Sequence, residues 1–542
     1  MKFDNLNLRL DQILDRKFQI QNEKIDLAGC SSITALAFFL SQSTSNIINN
    51  LPHLVVVGNS SEANCFAQTL SSFDSTRHVH ILSGFDENPY SHLYPKTQLI
   101  AERINFLYQA QHAKAGEIFV APITALLQKT LPFNELRNHS YIWSKGSELP
   151  SNISQLLNDL GYIASPLIED IGQFSIRGGI LDIFSPAHQY PVRIELFGDT
   201  VESIRFFQTQ NQQSVDSVSE FILIPCKEII WNDDRIESVI EKFRSSTQGR
   251  KFDQHEFEEI IRSLSRKNSF PGIDFLLPYF YKNLDQPLSH FNSELNIWYI
   301  DPNEITKNYD LFFSEIKNDQ TTAQDQVIYP EISSFYLQID NIEFPKNSKK
   351  ISLSSILTDD LTHDEILNEV IQYQTSSLME VSNLFRSLIP GSESWLIQLK
   401  QKLIQWKSDG YIVYFFVKGK TQSERLSLFF DKCGFELKIV NHDEQLWNTW
   451  KSEQVHNENI FHLIQKPIAD SVRFLEEKII LFREEDLFGK KIRTSDLNQA
   501  EEFHKQAKRL SFGDLKPGDC VVHILHGIGV YEGLKEIGRA HV

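Results

Sequence analysis

The stretch from Gly172 to Phe207, GQFSIRGGILDIFSPAHQYPVRIELFGDTVESIRFF, limits the possible folds of this chain more than any other. Gln173 to Phe184 alternates and carries a kink at Gly178-Gly179. Ser185-Pro186 stops it, Pro191 opens the next strand, and Gly198-Asp199 turns the chain back into Val201–Phe207. The pattern predicts three or four short strands joined by hairpin turns. A three-residue loop at Gly198–Thr200 sets Ile194 opposite Ile204, so the apolar positions agree across the pair. Arg193, Glu195, Phe197 and Arg205 then share the other face. Opposite charges around an aromatic suit a protein-binding surface. From pattern alone, a solvated outer face is the simpler reading.

The rest of the chain reads as α/β and multidomain. At 542 residues it is too long for one core and predicts three to five domains. In residues 1–124, the strand runs Leu54–Val57, Val79–Leu82 and Ile118–Val120 alternate with helical stretches such as Thr97–Gln111. That order predicts a parallel sheet. A phosphate-cradling loop belongs after the first strand, and the matching place is Leu27–Ser32, leading into a helix over Ile33–Leu40. No Gly-Lys-Thr/Ser stands there, so the lysine and the Mg²⁺-binding hydroxyl are missing and the phosphate charge is unbalanced. Farther on, Tyr411–Val417 is a buried strand followed by Lys418-Gly419-Lys420-Thr421 and a helix over Gln422–Phe430. A phosphate loop fails there too, because Tyr414 stands where a glycine is required.

Composition narrows the function. The net charge is −18 and the pI about 5.4, against the chain as a whole being a strong nucleic-acid binder. Cys30, Cys65, Cys226, Cys433 and Cys520 are scattered singly, with no disulfide framework or zinc spacing, which fits a reduced cytoplasm. His523 and His526 have no acidic or cysteine partner nearby and read as structural, so no metal site is expected. No apolar run reaches about 18 residues and MKFDNLNLRLDQ lacks a signal-peptide pattern, so no membrane association is expected.

The wording of several segments resembles the transcription-repair coupling factor family. RGGILDIFSP…YPVRIELFGDTVESIRFF is similar to the small domain that this family shares with UvrB and that docks onto UvrA in both. Glu87–Gln109, Val120–Lys129, Gly161-Tyr162, Glu169–Gly172, Phe270–Phe280 and Glu484–Lys491 resemble further coupling-factor segments, and Phe512–Glu536 resembles the start of the domain that grips the RNA polymerase β subunit. The resemblance implies degenerate helicase-like parallel-sheet domains, an inserted α+β UvrA-docking domain and a truncated C-terminal SH3-like β-barrel. The expected organisation is a first helicase-like half over 1–124, a docking domain over 125–212 and the second half of the first domain over 213–345. A third α/β domain over 351–455, a linker and helix over 456–510 and the start of the polymerase-interacting domain over 511–542 follow. One departure stands at Ile163-Ala164-Ser165, where family members often carry a basic residue. The closing Ile537–Val542 also departs from the family and is expected to be non-native, with the two motor domains and a regulatory domain missing.

By resemblance, the UvrA-contacting residues are Arg177, Arg193, Glu195, Phe197 and Arg205, with Arg177 beside Gly178-Gly179 the strongest motif match. The polymerase-binding part begins near Leu515. The implied function is recruitment of UvrA to lesion-stalled RNA polymerase in nucleotide excision repair, by a cytoplasmic monomer. The parent protein would be an ATP-dependent duplex-DNA translocase. No catalytic residue and no cofactor is expected in this chain, ATP and Mg²⁺ belonging to the missing motor. Two alternatives stand beside this reading. One is a UvrB-like subunit, which requires the absent N-terminal nucleotide loop and a damage-probing hairpin. The other is a UvrA-binding scaffold without a motor.

Overall fold

The structure is a computed structural model. It describes residues 24–30, 32–43, 49–85, 87–91, 93–248, 252–323, 329–354, 370–372, 375–440, 460–475, 477–488, 520–523 and 527–530. The first lobe is a parallel sheet. Its early strands are β1 (Lys24–Ala28), β2 (His53–Val57), β3 (Val79–Ile81) and β4 (Ile118–Pro122). Every residue of β2 and β4 is buried, as expected for a central strand covered on both faces. An insertion follows, comprising β5 (Tyr141–Ser144), β6 (Ile163–Ala164), β7 (Gln173–Arg177), β8 (Ile180–Ile183), β9 (Val192–Phe197), β10 (Thr200–Phe207), β11 (Ser214–Ser217) and β12 (Glu220–Leu223). The chain then returns to the first lobe with β13 (Asn296–Ile300), β14 (Lys349–Ser354) and β15 (Val370–Gln372), giving the order β15-β1-β14-β13-β2-β4-β3.

β14 pairs with both β1 and β13, and β15 pairs with β1. The boundary expected between 345 and 351 is therefore displaced, because the chain is still completing the first sheet there. The third lobe follows, with β16 (Thr375–Ser377), β17 (Ile412–Phe416), β18 (Glu436–Ile439), β19 (Ile460–Ile464), β20 (Val472–Phe474) and β21 (Ile479–Arg483) in a mixed sheet of order β16-β20-β21-β17-β19-β18. After β17, Gly419 caps helix Lys420–Cys433, longer at both ends than the sequence pattern indicated.

Two apolar clusters organise residues 24–487. One runs from the first sheet through helix Thr97–Gln111 into the insertion, and includes Phe119, Trp143, Tyr162, Ile194 and Phe221. The other joins the opposite side of the first sheet to the third lobe, bringing Phe38, Phe73 and Trp298 together with Phe416, Ile464 and Phe474. The remainder forms a separate compact unit from Phe488 onward. Its described part is an antiparallel hairpin of β22 (Cys520–His523) and β23 (Gly527–Val530). The strand that follows β22 begins at Gly527, and residues 531–542 lie outside the described residues.

The insertion is a sheet of order β11-β10-β9-β8-β7-β6, entered and left through the antiparallel pair β5–β12. The expected kink at Gly178-Gly179 is a full hairpin turn, with Arg177 paired to Ile180. The β9–β10 connection is a two-residue turn, Gly198-Asp199, and not the three-residue loop expected. Gly198 has φ 61°, as a turn with glycine at its first central position demands. Ile194 nevertheless opposes Ile204, because a bulge between Val201 and Ser203 restores the register. Gly179 is fixed for another reason. A Cβ there would lie 2.8 Å from the Leu196 carbonyl oxygen, while the Leu196 N–H donates to the Gly179 carbonyl at 2.7 Å. Gly179→Ala is expected to destabilise the chain by about 1–3 kcal/mol, since backbone must move to admit the methyl. Urea denaturation checks it, and an unchanged midpoint contradicts the assignment.

Candidate protein-docking surface

Alternation along β7 to β10 divides the insertion's sheet into an inner and an outer face. Phe174, Leu181, Ile183, Val192 and Ile194 point inward and are buried. The outer face carries two cross-strand rows, each set by the register. The first is Ser175, Asp182, Arg193, Arg205 and Ser217, and the second is Arg177, Ile180, Glu195 and Ser203. Phe197 extends the second row toward the β9–β10 turn. The five residues singled out from sequence therefore share one face, but the structure gives them different roles.

Arg193 is committed within the sheet. Its Nε donates to Asp182 Oδ1 at 2.7 Å and its Nη2 to Oδ2 at 2.8 Å, a forked pair that raises the guanidinium pKa further. The same guanidinium lies 4.9 Å from the ring centre of Phe207, which is buried with Ile168 and Phe184 in a small outer cluster. Arg205 Nη2 donates to Glu195 Oε2 at 2.8 Å, and Ser203 Oγ donates to the same oxygen at 2.7 Å. Those two groups, the Ser203 hydroxyl first, hold the Glu195 carboxyl below its ordinary range. Among the described residues Arg177 has no hydrogen-bond or ion-pair partner, and it is exposed. Phe197 is 79% exposed, an extreme value for a phenylalanine, and Ile180 beside it is 39% exposed. Asp182 and Phe207 were missed from sequence. Once the β8–β9 register is known, Asp182 is the residue that faces Arg193. Ile163 is 60% exposed on the edge strand β6.

His188 supports the neck of this sheet. Its Nε2 accepts from the Ile222 N–H at 2.9 Å, and its ring stacks on Phe221 at 5.1 Å. Burial lowers its pKa from the ordinary 6.5 to about 4. An unfolded chain therefore takes up a proton near pH 6.5 that the folded chain takes up only near 4, so this group's contribution to stability is lost as pH falls through that interval. His188→Gln, which keeps an acceptor but does not titrate, is expected to flatten the pH dependence of Tm between 6.5 and 4. An identical slope in parent and variant contradicts this.

A largely antiparallel sheet, parallel only between β6 and β7, is thus inserted into a parallel α/β lobe and carries matched charges on one face around an exposed aromatic. The family model described as the UvrB interaction domain matches residues 144–229, which spans it. That described as the CarD-like/TRCF RID domain matches residues 515–541, which contain the β22–β23 hairpin. The chain as a whole is similar to transcription-repair-coupling factors. It is 25% identical to that of Myxococcus xanthus over 463 residues, 83% of this chain and 37% of the relative. It is 24% identical to that of Haemophilus influenzae over 466 residues, 85% of this chain and 38% of the relative. The Staphylococcus haemolyticus protein matches at 24% over 470 residues. The chain is thus similar over most of its length to transcription-repair-coupling factors, and it spans less than two fifths of their length. No helix among the described residues is long and apolar enough to cross a membrane.

Proposed function

We propose that this chain is the partner-recruiting portion of a transcription-repair coupling protein, and that its outer sheet face binds UvrA. One observation carries the reading. Arg193 with Asp182, and Arg205 with Glu195, are matched within the sheet, while Arg177 has no partner among the described residues and Phe197 is 79% exposed. An unspent guanidinium and a projecting ring on a rigid sheet suit a partner offering a carboxylate and an apolar pocket. Arg177 and Phe197 are the contacts. Arg193, Glu195 and Arg205 hold the face in shape and border it.

The segment 515–541 begins a small barrel that binds the RNA polymerase β subunit, and the described hairpin supplies its first two strands. ATP, Mg²⁺ and duplex DNA are handled by motor domains beyond this chain, which acts as a cytoplasmic monomer. Calorimetric titration of UvrA into the full chain tests the recruiting role. Saturable binding is expected, and no binding to the folded chain refutes it.

A further inference from the structure

Helix Ile33–Gln42 starts where a nucleotide-binding loop would deliver phosphate, and its first turn already holds a carboxylate. Asp470, in the connection from β19 to β20, accepts from the Thr34 N–H at 3.1 Å. Thr34 Oγ1 lies 3.1 Å from the same carboxylate oxygen and 2.8 Å from the Asp470 carbonyl, and it accepts from the Asp470 N–H at 3.1 Å. Ser32 caps the helix by accepting from the Ala35 N–H at 3.0 Å. Thr34 is completely buried. These donors are the groups that an anion seeks at a helix N-terminus, where unpaired N–H groups and the helix dipole coincide.

The loop preceding the helix is spent on protein partners in the same way. The N–H groups of Gly29 and Cys30 donate to the Ser354 carbonyl at 2.8 and 3.0 Å. The Gly29 carbonyl accepts from the Thr375 N–H at 3.1 Å and from its hydroxyl at 2.6 Å. The segment bearing Asp470 is seated along its length. Ser72 Oγ donates to the Pro467 carbonyl at 2.6 Å, Lys466 Nζ to the Ser71 carbonyl at 3.3 Å, and Arg483 to the Ala469 carbonyl. Ile468 enters the apolar cluster with Phe38 and Phe73.

We propose that the Asp470 carboxyl group is a built-in acceptor that occupies the phosphate position at the start of helix Ile33–Gln42 and so latches the third lobe onto the first. A tethered carboxylate faces no loss of translational freedom, so free nucleotide competes poorly for the same donors. The loop has become a structural joint. This inference does not rest on the UvrA-docking reading, and the two stand or fall separately.

Thermal unfolding of the full-length chain tests it, with Asp470→Ala and Asp470→Asn, in chloride and in inorganic phosphate at matched ionic strength. The alanine variant is expected to lose several degrees of Tm and to regain part of it in phosphate, which refills the vacated position. The parent does not respond to phosphate, and the asparagine variant lies between the two. An alanine variant as stable as the parent overturns the proposal, as does a phosphate gain equal in parent and variant. Should Asp470→Ala show no cooperative transition, Thr34→Val removes the hydroxyl and leaves the carboxylate in place. A lowered Tm without a phosphate gain is then expected, and parental stability overturns the latch.

Discussion

Phe197→Ala and Arg177→Ala are each expected to weaken UvrA binding about 30-fold or more, the effect of losing a residue that contributes about 2 kcal/mol at an interface centre. Neither change should lower Tm, because Phe197 is 79% exposed and Arg177 has no partner among the described residues. Arg193→Ala is expected to behave differently. It strips the forked partner from Asp182, which is only 8% exposed, and removes the cation over Phe207, so stability and binding fall together. Arg205→Ala should cost little stability, since the Arg205–Glu195 pair is well exposed. Calorimetry with UvrA and a urea titration for each variant separate these effects. Parental affinity for both Phe197→Ala and Arg177→Ala would falsify the placement of the contact at this end of the sheet.

Arg103→Ala is expected to cost about 3–5 kcal/mol, because it breaks a buried ion pair and leaves a charge behind. Arg103, on helix Thr97–Gln111, has no exposed surface. Its Nε donates to Glu228 Oε1 at 2.8 Å and its Nη2 to the Gln128 carbonyl at 2.7 Å, while Glu228 Oε2 accepts from the Leu131 N–H at 2.9 Å. Glu228 stands where the chain comes back from the insertion, so this network ties the inserted sheet to the first lobe. Burial already raises the Glu228 carboxyl pKa, against the pull of Arg103. Without Arg103 that pKa rises further above its unfolded value. The folded variant then binds a proton more readily than the unfolded one, and it recovers stability as pH falls toward the ordinary glutamate range. Urea midpoints at pH 7 and pH 5 check both points. A loss under about 1 kcal/mol at pH 7, or a loss that grows at pH 5, contradicts the assignment.

Much of the inserted sheet was legible in the sequence because its signals are local. Period-two alternation assigned inner and outer faces, and Gly198-Asp199 marked a turn. The Ile194–Ile204 pairing was read correctly from a wrong loop length. A two-residue turn plus one bulged residue offsets the register by as much as a three-residue loop, and alternation cannot tell them apart. The Gly178-Gly179 turn was missed for the converse reason, since alternation runs straight through a two-residue hairpin. The extent of the first lobe was also hidden. β14 and β15 complete a sheet begun more than 300 residues earlier, and nothing in their own sequence says which sheet accepts them.

The sequence by itself determined the α/β character and the shared face of Arg193, Glu195, Phe197 and Arg205 through short-range periodicity, and the inserted α+β module and the place of Arg177 on it through motif wording. The tertiary structure alone decided which of those residues are free. Arg193 is taken up by Asp182 across the sheet, Arg205 by Glu195, and the Thr34 N–H by Asp470, 436 residues away. Charge matching at a distance depends on how strands and lobes come together, and residue type carries no record of it.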